Sequence, residues 1–470
     1  MTQATVNKVI EVRNMATMEI IETIPAATVE DAKRALENAR EGAKVWAATP
    51  TYKRVEILEN FVKSLRENNE ELGKLLSAEN GKILAQGLGE IEVAAKIFTE
   101  FAQESKRLFG QTIPLDIQEG LESDLMITKR EPLGVIVGIL PFNFPVELFA
   151  QKAGAALAAG NAIVVKPPED DPLTIIKLVE LLHNAGVPKN VIQVLPGYGE
   201  DVGAYLTSSP LVDAISFTGS TETGTSIYQS GAKNLSRVFL ELGANDALMV
   251  CEDGDIEMAV DHAIDGRLLA NGQVCCANKR LIVQSSVYEE FKTKLIEKLS
   301  QKKVGNQLEE GTDVGPLVNV EAAIHVEEQI KHTVNQGAKL AFGGKRNEAF
   351  MEPTVLTNVT KDMDIAKDME VFGPVFPIIS FETFEEGIEL VNNTIYGLNS
   401  SIFTSDMNKA IQAGNRIQAG IVSLNGGTCY RPVCSAFGGY KKSGIGREGT
   451  NYTLEELTQI KSIVLRGVMN

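Results

Sequence analysis

Between about Glu131 and Val250 the chain alternates short uninterrupted apolar runs with stretches in which apolar residues recur every three to four positions. Continuous apolar runs bounded by turn residues read as strands buried on both faces, and the longer periodic stretches read as helices laid over them. The predicted strands are Gly134–Leu140, Ala162–Val165, Val191–Val194 and Ala214–Phe217, with helices such as Leu173–Ala185 and Thr221–Ala232 between them. This rhythm predicts βαβ units and a mostly parallel, doubly wound sheet. Each predicted strand ends in a turn rich in Gly, Pro or Asn, the end at which such sheets bind ligands.

Upstream, Val29–Ala47, Lys53–Asn69 and a stretch near Glu90–Arg107 have the period of amphipathic helices that pack on the sheet. Downstream, a second alternation begins with Arg280–Val283 as a strand and Val287–Leu299 as a helix. It continues through Val355–Val359, Val375–Phe381, Phe384–Asn392 and Ile421–Leu424, and predicts a second α/β domain. Two pieces, Ile113–Thr128 and Gln459–Arg466, look extended yet follow no helix in the βαβ rhythm, so they are expected to pair together or across a subunit boundary.

The 470 residues, 44% hydrophobic, suffice for two or three domains with ample core. The formal charge of −17 repels phosphate backbones and anionic membranes, so neither nucleic acid nor a membrane surface is an expected partner. Met1–Glu11 lacks a basic segment followed by an apolar stretch, and no run of about 18 apolar residues occurs, which makes the cytoplasm the expected compartment. Five scattered cysteines (251, 275, 276, 429, 434) suit reduced thiols, and four histidines without ligand spacing predict no metal site.

Candidate chemistry centres on Glu241, in Leu240-Glu241-Leu242-Gly243, and Cys275, in Gly272-Gln273-Val274-Cys275-Cys276. A thiolate is the strongest side-chain nucleophile near neutral pH, and a carboxylate reaching it through a water is a natural general base for hydrolysing what the thiolate has captured. Gly272-Gln273 ends the amphipathic run Ile256–Leu269 and permits the irregular backbone that can hold a thiol between two α/β units; otherwise Cys275 is a buried structural thiol. Glu241 ends an apolar strand, as a base or as the cap of a following turn. Asn143, between Pro141 and Pro145, can donate to a developing oxyanion or satisfy turn backbone groups. Lys166 and Glu169, in Lys-Pro-Pro-Glu at a strand end, can hold adenosine ribose hydroxyls. The strand-to-helix turn Thr218-Gly219-Ser220-Thr221-Glu222-Thr223-Gly224 can meet a pyrophosphate, although it has Gly-x4-Gly rather than the usual dinucleotide fingerprint.

Pro-Phe-Asn-Phe-Pro, Lys-Pro-Pro-Glu, Phe-Thr-Gly-Ser-Thr-Glu, Leu-Glu-Leu-Gly, Gly-Gln-Val-Cys, Glu370-Val-Phe372-Gly-Pro and Phe437-Gly-Gly-Tyr-Lys-Lys-Ser-Gly-Ile-Gly-Arg-Glu448, in that order, resemble the aldehyde dehydrogenase superfamily over nearly the whole chain. The resemblance implies an α/β fold with a Rossmann-like cofactor domain (1–110 and 131–243), an α/β catalytic domain (244–445) and a small β oligomerisation hairpin (111–130 and 446–470). It makes Cys275 the nucleophile, Glu241 the general base and Asn143 the oxyanion donor. Lys166 and Glu169 would hold the adenosine ribose, Gly219, Ser220 and Gly224 the pyrophosphate region, and Glu370 and Phe372 the nicotinamide ribose, with Thr218, Thr221 and Leu242 also binding the cofactor. The implied reaction is NAD(P)-dependent oxidation of an aldehyde to the acid through a thiohemiacetal and a thioester, in a homodimer or homotetramer.

Glu169 should repel a 2′-phosphate, so NAD is the expected cofactor, with NADP tolerated through Lys166. The rivals are a CoA-acylating aldehyde dehydrogenase, which Glu241 argues against, and a catalytically silent binding protein on the same fold. The expected substrate is a small semialdehyde or a range of aliphatic and aromatic aldehydes. Arginines that read anionic substrates in relatives are replaced by Gln151 and Val274, and the usual Trp before Asn143 is Phe142. Arg431 is expected either to hold a carboxylate at a tunnel mouth or to be a solvated loop residue.

Overall fold

The run Val135–Ile139 is buried at every position because the computed structural model, which describes residues 8–469, covers both faces of its sheet with helices. Most of the stretch Met1–Glu11, read above for a leader, therefore lies outside the described residues. Successive residues point to opposite faces: Val135 and Val137 join a core with Ala32, Leu36 and Ala39, and Ile136 joins another with Phe61, Phe98 and Leu178. Helix Val29–Ala48 supplies the first face, and helices Thr51–Glu67, Leu84–Ser105 and Leu173–Ala185 the second.

This first sheet has six strands in the order Gly444–Ile445, Arg237–Glu241, Ala214–Thr218, Val135–Ile139, Ala162–Lys166, Ile192–Val194. All neighbours are parallel except Gly444–Ile445, which runs against Arg237–Glu241. The chain winds outward from Val135–Ile139 and then returns to its other side at Ala214–Thr218. A crevice opens at the carboxyl ends of two such strands, where the connections leave in opposite directions.

The second sheet has seven strands in the order Lys339–Phe342, Thr354–Val359, Val375–Phe381, Arg280–Gln284, Ala247–Val250, Asn399–Phe403, Ile421–Leu424, parallel apart from the first. The chain is thus of the α/β class with two packed sheets, as its periodicity predicts.

Several expected elements are redrawn. Lys53–Asn69 is cut at Asn68, whose side chain donates back to the Ser64 carbonyl at 2.8 Å, and a further helix, Asn69–Asn80, begins there. Ile113–Thr128 is not one extended piece: only Thr112–Pro114 and Leu125–Pro132 are strands, and consecutive turns with Gly120 at φ 88° fill the interval. These two strands and Thr458–Leu465 do pair together, as a three-stranded antiparallel sheet with Thr458 opposite Pro132 and Leu465 opposite Leu125. The 446–470 stretch is not all arm, because helix Thr450–Glu456 places Leu454 in the core beneath the first sheet.

Candidate active site

A cleft of about 840 Å³ lies at the carboxyl ends of the first sheet, and its wall includes Asn143, Lys166, Glu169, Thr218, Gly219, Ser220, Leu242, Cys275, Glu370 and Phe372. Residues distant in sequence meet there because the strand ends Ile139, Lys166 and Thr218 and the turn before Arg280–Gln284 converge on one crevice. Thr221 and Gly224 stand off the wall. The Thr221 hydroxyl donates to the Lys442 carbonyl at 3.3 Å, and Gly224 lets its helix approach Leu242 where a Cβ would lie 2.3 Å from a methyl.

Cys275 follows an unusual turn. Helix Ile256–Leu268 stops, and Ala270, Asn271 and Gly272 take φ of 45°, 58° and 85°, a left-handed run that is unfavourable for residues carrying Cβ. It is held by buried polar contacts: Asn271 Nδ2 donates to the carbonyls of Gly81 and Pro316 at 2.9 and 2.8 Å, and its Oδ1 accepts from the Gly315 amide at 2.7 Å. Gly272 is required by contact as well, since a Cβ there would lie 2.3 Å from the Gly373 backbone. Buried Arg267 donates to Gly272, Val371 and Val375 carbonyls, so it ties this turn to the loop carrying Glu370 and Phe372. The thiol is partly exposed to the cleft, whereas Cys276 is buried. The contact with Cys276 and burial hold the Cys275 thiol well above the usual range, with Lys279 and Arg431 opposing them.

Asn143 uses one amide hydrogen on the Gln273 carbonyl at 2.8 Å, and its Oδ1 accepts from the Phe144 amide at 3.0 Å. The second hydrogen stays available, so the side chain satisfies turn groups and can still donate to a reacting oxygen. Its backbone is gripped from the last residue of helix Asn69–Asn80 and the segment that follows. Asn80 Nδ2 donates to the Phe142 carbonyl at 2.6 Å, and Lys82 Nζ to the Asn143 carbonyl at 2.8 Å. Lys82 is paired with buried Glu90, whose other oxygen accepts from the Val146 and Glu147 amides at the following helix start.

Glu241 is buried, and it is absent from the cleft wall because the pleat alternates: Leu242 faces the cleft and Glu241 the other side. It borders a void of about 20 Å³ shared with Glu448 and Glu456. Its Oε2 has no hydrogen-bond partner among the described residues. Burial pushes its proton affinity well above the usual carboxylate range and Glu448 adds to this, while Arg431 and Lys152 oppose it. Arg431 is neither a solvated residue nor a free anion site. Its side chain is 14% exposed, bonded to Glu448 Oε2 at 2.5 Å, 3.5 Å from Glu147 and stacked 3.9 Å over Phe437. Glu448 also takes Lys152 Nζ at 3.0 Å, and the same ammonium donates to Thr218 Oγ1 at 2.8 Å.

At the far end of the cleft, Lys166 Nζ lies 2.9 Å from Glu169 Oε1, which also accepts from the Gly199 amide at 2.9 Å. Ser220 caps helix Thr221–Ala232, whose N-terminal end opens on the same cleft. Glu370 accepts from the Ala244 amide at 3.0 Å and pairs with Lys279 at 3.1 Å. A paired lysine and carboxylate, then a helix N-terminus, then a second carboxylate beside a thiol form a donor and acceptor series that fits a dinucleotide laid along the cleft. Among the described residues no cluster of His, Cys, Asp and Glu is arranged to hold a metal ion. Lys82, Glu90, Lys152, Arg267 and Lys279 carry none of the assignments made from sequence, since their roles arise from partners far along the chain.

The model of the aldehyde dehydrogenase family matches residues 1–463. The glutarate-semialdehyde dehydrogenase of Pseudomonas putida is 40% identical over 458 residues, covering 97% of this chain and 94% of that protein. The NADP-dependent succinate-semialdehyde dehydrogenase of Escherichia coli is 37% identical over 456 residues, covering 96% and 93%. The crystal structure of glyceraldehyde-3-phosphate dehydrogenase GapN from Methanocaldococcus jannaschii, complexed with NADP, superposes with a TM-score of 0.93 at 37% identity, covering 98% of this chain and all of that one.

Proposed function

Because the chain belongs to the aldehyde dehydrogenase family, whose members oxidise aldehydes with NAD or NADP, we propose that Cys275, Asn143 and Glu241 carry out that reaction in its hydrolytic form. The observation that carries this reading is the meeting of Cys275, Asn143 and the carboxylates Glu169 and Glu370 along one cleft. The Cys275 thiolate adds to the carbonyl carbon, and the displaced electron pair collects on oxygen. The free Asn143 amide hydrogen and the Cys275 backbone amide stabilise that charge, an effect of about 3 kcal/mol per donor. Lys166, Glu169, Glu370 and Phe372 would hold the dinucleotide, which would supply the hydride acceptor. Loss of hydride leaves a thioester on Cys275. Glu241, deprotonated and rotated toward the cleft, takes a proton from water as the water oxygen attacks, and sulfur departs with the acid formed.

Residues 1–110 and 131–243 serve as the cofactor domain, 244–445 as the catalytic domain, and 111–130 with 446–470 as the oligomerisation segment of a homodimer or homotetramer, in which helix Thr450–Glu456 anchors the segment to the first sheet and strand Thr458–Leu465 is the part offered to a partner. No helix of the described residues is long and apolar enough to cross a membrane, and with its free thiols the protein is assigned to the cytoplasm, where fractionation would find it. NAD is preferred because a 2′-phosphate beside Glu169 meets a carboxylate that Lys166 and the Gly199 amide hold on the wall. The preference is set against relatives named or crystallised with NADP, so its size is the informative quantity. We expect kcat/KM to favour NAD by about tenfold, about 1.4 kcal/mol, and Glu169→Ser to narrow the ratio. A wild-type preference for NADP with the same aldehyde overturns this assignment.

The mechanism is tested with Cys275→Ala, which should lose aldehyde-dependent NADH formation while still binding NAD, and with Cys276→Ala, which should stay active. Turnover of Cys275→Ala within tenfold of wild type would remove the thiol from the reaction.

A further inference from the structure

Lys279 has no part in the steps above, yet it touches both halves of the site. Its side chain is 1% exposed. Its ammonium donates to the carbonyl of Cys275, sits 3.1 Å from Glu370 Oε1 and lies 5.5 Å from the centre of the Phe372 ring. Glu370 and Phe372 face the cleft, as does Cys275. A buried ammonium is a poor way to gain stability, because desolvation offsets its pairing and an apolar side chain of similar volume often serves as well. The cost makes sense where the charge is used.

We propose that Lys279 is a positioning residue that couples the cofactor-facing carboxylate Glu370 to the nucleophile Cys275, so that occupancy of the cleft is transmitted to the thiol. This rests on the roles given above to Cys275 and Glu370. With the cleft empty, Glu370 neutralises much of the ammonium. When Glu370 accepts hydrogen bonds from hydroxyls of the bound dinucleotide, its charge is shared with them, and the field of Lys279 at the thiol strengthens. The tether to the Cys275 carbonyl also holds the nucleophile turn in register with the cofactor wall.

Other charged and titratable groups face this pair. Cys276 and Arg431 act on the thiol, Cys275 and Glu241 interact, and Asp246 faces Lys279. Glu370 is the carboxylate that both pairs with Lys279 and lines the cleft, which makes it the entry point for a cofactor signal.

The experiment uses the full-length protein with Cys276→Ala as background, so that labelling at this motif reports Cys275. The rate of alkylation by iodoacetamide, in which the thiolate forms a C–S bond as iodide leaves, is followed by peptide mass spectrometry against pH, with and without saturating NAD. In the background protein NAD should move the alkylation midpoint to lower pH. Lys279→Met should raise the midpoint by about one pH unit, tenfold in rate below it, and abolish the NAD shift. Glu370→Gln should act in the opposite direction, lowering the midpoint because the ammonium is no longer neutralised, and should also lose the NAD shift. Two variants with opposite signs are not produced by a loosened fold. If Lys279→Met does not fold, the Glu370→Gln profile decides alone: a lower midpoint supports the coupling, and an unchanged or higher one overturns it. An NAD shift retained in Lys279→Met also overturns it. Failure of the catalytic reading is distinguished by Cys275→Ala, whose undiminished aldehyde oxidation would refute the nucleophile whatever the alkylation profile shows.

Discussion

Glu241, the base of the proposed mechanism, is held where holding charge is costly, and that would set the pH at which it works. Burial and the Glu448 carboxylate both raise its proton affinity, so at a given pH less of it is ionised than of a solvated glutamate. Only the ionised form accepts a proton, and thioester hydrolysis should therefore rise with pH, reaching half its maximum above the ordinary carboxylate range. Glu448→Gln removes a like charge and leaves Lys152 and Arg431 less neutralised, both of which favour ionised Glu241. The rising limb should then shift to lower pH, as read from single-turnover hydrolysis rates. Glu241→Gln should give a burst of NADH near one per site followed by slow turnover, and a normal steady-state rate would exclude Glu241 as the base. The sequence motif pointed to the carboxylate; the side of the strand it occupies, and the neighbours that set its proton affinity, became visible only with the tertiary contacts.

The loop Phe142–Asn143 is placed by an element that the hydrophobic pattern did not resolve. Helix Asn69–Asn80 ends at Gly81, with φ 93°, and the next residues deliver Lys82 to the Asn143 carbonyl and to Glu90 on helix Leu84–Ser105. Lys82→Met would leave Glu90 buried without its cation, and breaking such a pair costs about 3–5 kcal/mol. Adding Glu90→Gln removes the orphaned charge while keeping an oxygen to accept from Val146 and Glu147. The double variant should therefore denature at a higher urea concentration than Lys82→Met alone, and equal midpoints would show that the charge is not what the pair stabilises. Strands such as Val135–Ile139 and Ala162–Lys166 were legible because burial on both faces leaves an unbroken apolar run. Helix Asn69–Asn80 has no counterpart among the predicted elements, since the expected helix stops at Asn69 and the next begins near Glu90. The left-handed turn before Cys275 was legible only as a Gly; Asn271 is held by the carbonyls of Gly81 and Pro316 and the Ala270 amide by the Gln86 side chain, contacts that no local pattern encodes.

At the scale of the whole molecule, the cleft and the nucleophile turn are internal, but the three-stranded sheet leaves an apolar edge exposed. Thr458–Leu465 runs its full length along Leu125–Pro132 and has no partner on its other edge among the described residues. It exposes Ile460 at 63%, Ile463 at 41% and Val464 at 50%. A long apolar edge strand is a template for pairing unless something covers it, and a second copy of the chain offers a closed arrangement that uses the same surface on each subunit. The formal charge of −17 on each chain opposes this association, so salt should strengthen it by screening while the apolar contact provides the attraction. Sedimentation at micromolar concentration should find a dimer or tetramer that tightens from low to physiological salt. Ile460→Asp with Val464→Asp should shift it toward monomer, because the new carboxylates lose solvent on pairing and repel their symmetry mates. The variant should still give the Cys275-dependent burst, since neither Ile460 nor Val464 lines the cleft. A wild-type protein that sediments as a monomer, or a double variant that assembles as well as wild type, would rule out this strand as the interface.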